Sequence, residues 1–139
     1  MNLEEYEREG RARYSAFSKM VAGLIEAAIE HEAIEGVAVV TSRAKAVPSL
    51  SKKLEDRNLL DSKSIENELK DLAGCRIVFY TNTALHKFLS SRIIQENFEV
   101  LEVRIHEPGK EVKDANELWH AVRSADANHL HSLMGSVGP

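Results

Sequence analysis

The chain has a single cysteine, Cys75, so no disulfide can close within it. Set in an apolar stretch, Cys75 reads as a small buried hydrophobe, and the simplest setting is a reducing, cytoplasmic one. No stretch reaches the roughly 18 consecutive apolar residues that a bilayer-spanning helix needs, and no membrane partner is expected. Positive charge is not in excess: the formal net charge is −4, which argues against a general binder of nucleic acid or other polyanions. A phosphate site must then be a local concentration of cations. The opening Met1-Asn2-Leu3-Glu4-Glu5-Tyr6-Glu7 is acidic with no apolar run behind it, unlike a secretory signal. Internal repeats, low-complexity tracts, a glycine-rich phosphate loop and a Ser/His/Asp arrangement are all missing.

What is present suits one domain with a real core: 139 residues, 43% of them hydrophobic. Residues 1–36 read as an N-terminal helical region, from Leu3 to about Ile34. Tyr14, Phe17, Val21, Leu24 and Ala28 recur at helical spacing, Gly10 is a candidate break, and Gly36 a candidate C-terminal cap. That helix is either a core-packing element or an oligomerisation and partner surface. Val37–Ser42 reads as a buried strand. It delivers Arg43 and Lys45, two apart and so on one side of an extended chain. Pro48 suits a helix start with Ser49 as its cap. The helix from Ser49 to about Asn58 sets an apolar pair, Leu50 and Leu54, against a polar row, Ser49, Lys53 and Arg57. A helical turn is expected over Ser64–Leu69. A tight passage follows at Asp71–Gly74, where glycine permits positive φ or close approach. Ile77–Tyr80 reads as a central strand.

Thr81-Asn82-Thr83 is a helix start, and the helix to about Glu96 buries Leu85, Phe88, Leu89 and Ile93. A third strand, Phe98–His106, alternates apolar and charged residues. Pro108-Gly109 is a turn, 115–122 a short helix, and 123–139 a frayed or disordered tail. His129 and His131 lack a third ligand, which speaks against a metal site there. His106, on the wet face of a strand, reads as a surface residue.

Arg43, Lys45, Ser49, Lys53 and Arg57 converge on one strand–turn–helix mouth. Arginine forks and lysine point charges both suit a triphosphate. Asp71, just before the next strand, is placed to hold Mg²⁺ bridging phosphates, and Arg76 is placed to stack on a base. The plainer reading of the same residues is a solvated basic helix and a surface Asp–Arg pair.

The spacing Arg43-x-Lys45-x-x-x-Ser49-x-x-x-Lys53, followed by Asp71-x-x-Gly74-x-Arg76-Ile77, resembles the synthetase domain of the RelA/SpoT family. Those enzymes transfer pyrophosphate from ATP to the 3′ hydroxyl of GDP or GTP, and some small relatives act on other nucleotides or on tRNA. The resemblance covers about residues 37–106 and implies a partial synthetase domain over 37–122. The implied fold is α+β, a nucleotidyltransferase-like mixed sheet flanked by helices, incomplete at its C-terminal end. It implies that Arg43 and Arg76 hold adenine, that Lys45 and Lys53 contact the ATP phosphates, that Ser49 donates a hydrogen bond, and that Asp71 ligates Mg²⁺. Arg57 lies outside the tightest part of the motif. The family's acceptor segment, a tyrosine with a histidine close behind, has only Trp119-His120 in its place, and its Glu-x-Gln strand is missing. The expectation is a shortened, catalytically impaired synthetase. The alternative is a non-catalytic ATP-binding or protein-interaction module derived from it.

Overall fold

The computed structural model describes residues 1–104. Helix α1, Leu3–Glu5, opens where the Asn2 side chain accepts a hydrogen bond from the Glu5 amide at 2.8 Å. This satisfies one of the amides a helix start leaves without a partner, and Glu4 and Glu5 face the positive end of the helix dipole. The chain then makes one π-turn, Tyr6–Gly10, and continues as α2, Arg11–His31. Gly10 does not break the helix. It is buried, and a Cβ there would stand 2.6 Å from the Met1 sulfur, so glycine makes room for Met1.

The remaining described elements are β1 (Val37–Ala44), α3 (Val47–Asp56), α4 (Ile65–Glu68), β2 (Ala73–Phe79), α5 (Asn82–Ser90) and α6 (Ile93–Asn97). The two strands form one sheet. The Lys45 amide donates to the Leu72 carbonyl at one end, and the Tyr80 amide donates to the Gly36 carbonyl at the other. That pairing of high with low numbers makes the strands antiparallel. The architecture is mixed α and β.

The contacts divide the described chain into two compact units: Met1–Leu24 with Val40–Arg76, and Ile25–Val39 with the described residues from Ile77 on. The first is centred on Tyr6, Leu50, Leu54, Ile65, Leu69 and Leu72, all nearly or fully buried, with Met1, Leu3, Tyr14, Val47 and Leu59 packed against them. In the second, Ile25, Ile29, Phe79, Ala84, Leu85, Phe88 and Ile93 are buried. The rings of Phe79 and Phe88 lie 5.4 Å apart at 50°, a tilted arrangement that aromatic pairs favour.

Several expectations are corrected. The stripe proposed for the long helix is partly solvent-facing: Phe17 and Leu24 are each more than half exposed, while Ser18, Ala22, Ile25 and Ile29 are buried. β1 is not a buried strand, because with one neighbouring strand its Val39 is 45% exposed. For the same reason β2 is not central, and Tyr80 lies beyond its end. Ser49 does not cap α3. Val47 packs on the core and draws the helix start back, so Ala46 occupies the cap position without a side-chain bond. Gly74 lies within β2 and forms no positive-φ turn; among the described glycines only Gly36 has positive φ.

Thr81 caps α5 as expected, accepting from the Ala84 amide at 3.1 Å. The helix beyond it is interrupted, however, because Arg92 adopts a left-handed conformation between α5 and α6. The described part of the third expected strand, 98–104, joins no sheet. Its Leu101 is 83% exposed, and an extended segment without a neighbour gains little. The turn at Pro108-Gly109, the helix at 115–122, the tail at 123–139, His106, Trp119-His120 and the His129/His131 pair lie outside the described residues.

Gly36 is not the cap of α2. Ala33 takes that place at φ 52°, with the Ile34 amide donating to the Ile29 carbonyl and the Ala33 amide to Glu30. These two bonds are the pattern of a left-handed helix stop, where glycine carries no Cβ penalty. Ala33→Gly is expected to stabilise the protein by about 1 kcal/mol, read as an upward shift of the urea midpoint at unchanged slope. An unchanged or lower midpoint would mean that the left-handed turn costs the alanine nothing.

Candidate functional site

The antiparallel register carries Asp71 to Lys45. Lys45 pairs through its amide with Leu72 at 2.8 Å, and Asp71 is the preceding residue. The Lys45 carbonyl is held from the other side by the Tyr6 hydroxyl, which donates to it at 2.6 Å. Tyr6 itself is fully buried. A lysine whose backbone is fixed twice has its side chain aimed by the fold. Its ammonium lies 2.9 Å from Asp71 Oδ2, with only 11% of the side chain exposed.

The second cation comes from α3. Leu50 and Leu54 are completely buried and fix the rotation of that helix. Lys53, beside Leu54, therefore emerges at the edge of the packed face. Its ammonium also lies 2.9 Å from Asp71 Oδ2. Burial pushes the Asp71 carboxyl up, but the hydrogen bonds from Lys53 and Lys45, with their charges, outweigh it and bring its pKa down to about 2. The other oxygen, Oδ1, is buried with no hydrogen-bond partner. An unsatisfied buried acceptor costs about 1–3 kcal/mol, so the carboxylate is firmly paired on one side and unsatisfied on the other.

Arg43, near the end of β1, and Arg76, in β2, line one cleft of about 310 Å³ with Thr41, Ser42, Gly74 and Cys75. Gly74 leaves its floor open: a Cβ there would lie 3.9 Å from Arg43 Nε, in ordinary contact. Cys75 is exposed, not buried. Its Sγ donates to the Ser18 carbonyl at 3.3 Å. Partial burial raises its thiol pKa, which keeps it the neutral, less reactive form. Burial also raises the Tyr6 phenol. Arg11 and Arg43 act against that rise and Asp71 adds to it, so Arg43 and Asp71 both lie within electrostatic reach of one hydroxyl.

Of the seven residues singled out in the sequence, Lys45, Lys53 and Asp71 are in direct contact, and Arg43 and Arg76 share the cleft. Ser49 and Arg57 are exposed and belong to neither group. Arg57 stands at the C-terminal cap of α3, past its regular turns. Tyr6, which positions Lys45, was missed. Its signal was present as the four-residue steps Tyr6, Gly10, Tyr14, and the two tyrosine rings lie 6.1 Å apart.

Among the described residues no three His, Cys, Asp or Glu side chains converge on a metal position. Asp71 alone offers a hard oxygen donor, with one oxygen lacking a partner. That set fits Mg²⁺ only as an ion that keeps most of its waters and shares a phosphate. Comparison with family models, with curated proteins and with solved structures finds no match to the chain.

The paired Asp71 carboxylate makes stability depend on pH. Its folded pKa lies below the usual 3.8, so its contribution is complete above that value and is lost as pH falls through about 2. Glu66, lowered first by its hydrogen bond from the Met1 ammonium, titrates in the same direction. The informative quantity is therefore the difference between wild type and Asp71→Asn. Urea unfolding across a pH series should show the wild type's advantage shrinking from pH 4 downward. A difference that does not vary with pH would mean that the two lysines do not stabilise the ionised carboxylate.

Proposed function

We propose that the chain binds a nucleoside triphosphate, with ATP as the first candidate, as the donor half of a RelA/SpoT-like pyrophosphotransferase domain. The observation that carries this reading is the convergence of Lys45 and Lys53 on Asp71 within 2.9 Å. An isolated surface ion pair has no need of two cations on one carboxylate oxygen, and a solvated basic face would not aim them at one point. The arrangement concentrates positive charge locally in a chain of net charge −4, as a phosphate site here requires.

In this reading Lys45 and Lys53 bind the phosphates as compact charges. Arg43 and Arg76 offer guanidinium planes to the base from either strand of the cleft. Asp71 would hold Mg²⁺, which supplies charge neutralisation for the phosphates when bound. The chain's own part is to position and to stabilise charge, the main requirements of phosphoryl-type chemistry. A nucleotidyltransferase-like fold and GDP or GTP as acceptor are part of the same proposal. So are tRNA as an acceptor of the family's smaller members and self-association through the N-terminal helix.

Calorimetry with ATP and Mg²⁺ tests the reading. Arg43→Ala and Lys53→Ala should each weaken binding roughly ten- to hundredfold, the usual loss of one charge-assisted contact. Arg57→Ala should stay within about twofold, as for an exposed charge. Equal affinity in wild type and all three variants would reduce the basic row to a solvated face.

A further inference from the structure

Neither oxygen of Asp71 is open to a cation in this arrangement. Oδ2 is covered by two ammonium groups at 2.9 Å each, and Oδ1 is buried without a partner. A dication approaching the carboxylate would meet two positive charges before reaching a free lone pair. A polyphosphate anion meets the opposite field. It offers the ammonium groups several oxygens in place of one, and their departure would free Oδ2. From this geometry we propose that Lys45, Asp71 and Lys53 form an anion-operated latch. A polyphosphate draws the two lysines off the carboxylate, and only then does Asp71 become able to take a divalent cation. The order is fixed: the anion binds first or arrives with its metal, and free metal does not prime the site. This rests on the phosphate-binding reading of the cluster and adds to it a rule of assembly.

Tyr6 and the sheet give the latch a fixed base. The Lys45 backbone stays pinned by the Tyr6 hydroxyl at 2.6 Å and the Leu72 carbonyl at 2.8 Å, so only its side chain has to swing. Lys53 is the looser arm, 31% exposed against 11% for Lys45. The closed state is held by two ion pairs but burdened by one unsatisfied oxygen, and a balance of that kind is readily tipped by a ligand that favours one side.

The test uses the full chain labelled with ¹⁵N, inorganic tripolyphosphate as the anion and Mn²⁺ as a paramagnetic probe. Tripolyphosphate without metal should bind the wild type, and should bind Asp71→Asn about fivefold more tightly, because the competing carboxylate is gone. Mn²⁺ alone should leave the Asp71 amide resonance of the wild type sharp and broaden it in Lys45→Met/Lys53→Met. If that double variant does not fold, the anion affinity of Asp71→Asn against wild type decides alone. Broadening of the wild-type Asp71 signal by Mn²⁺ without anion would overturn the latch while leaving the phosphate site standing. Absence of tripolyphosphate binding to wild type and Asp71→Asn would overturn both. Binding of tripolyphosphate but not of ATP would support the latch and remove the nucleotide reading.

Discussion

The first unit turns on one carboxylate oxygen shared by two ammonium groups. Lys45 arrives from the end of β1, Lys53 from α3 and Asp71 from the approach to β2, so three segments separated in sequence meet at one atom. With Asp71 and Lys53 partly exposed, such a junction is a modest source of stability. Its force is geometric. Charges held at hydrogen-bonding distance fix which way the strand, the helix and the connecting chain present their side chains.

The rest of that unit can be understood as what the junction requires. The buried leucines Leu50 and Leu54 set the rotation of α3, and Leu72 both pairs with Lys45 and lies in the core. Tyr6 ties the N-terminal helix to the same point by its hydroxyl. Core and site are therefore not separate layers. The residues that exclude water are neighbours, one position removed, of the residues that carry charge.

Sequence reasoning anticipated which charged residues meet better than it described the fold around them. Lys45, Lys53 and Asp71 were legible because charged side chains at fixed spacing on strand and helix report their own direction. Thr81 and Asn58 were legible as helix boundaries because their side chains suit those positions: Asn58 takes the left-handed conformation past the end of α3, as asparagine often does. Other features depend on which neighbours exist, and no local pattern reports that. Val39 is as apolar as a buried strand demands, yet among the described residues only one strand lies beside it. Residues 98–104 alternate correctly and join no described sheet. Gly36 looked like a cap. Its backbone instead serves the approach of Ala84, where a Cβ would meet the alanine Cβ at 2.6 Å.

The π-turn at Tyr6–Gly10 sets the phase between the first turns of the N-terminal helix and the long helix that follows. An α-helix advances about 100° per residue, so an uninterrupted helix would set Tyr6 and Ser18 about 120° apart around the axis. One residue absorbed in a wider turn removes about 100° of that offset and brings the fully buried Tyr6 onto nearly the same side as the buried Ser18. The turn thus works as a phase correction between the part of the helix that reaches the Lys45 carbonyl and the part that packs beyond it. Length in this short segment is consequently under tighter constraint than residue type. Many side chains could stand at the exposed positions 7, 8 and 9, but dropping one of them would rotate Tyr6 away from the strand end it holds.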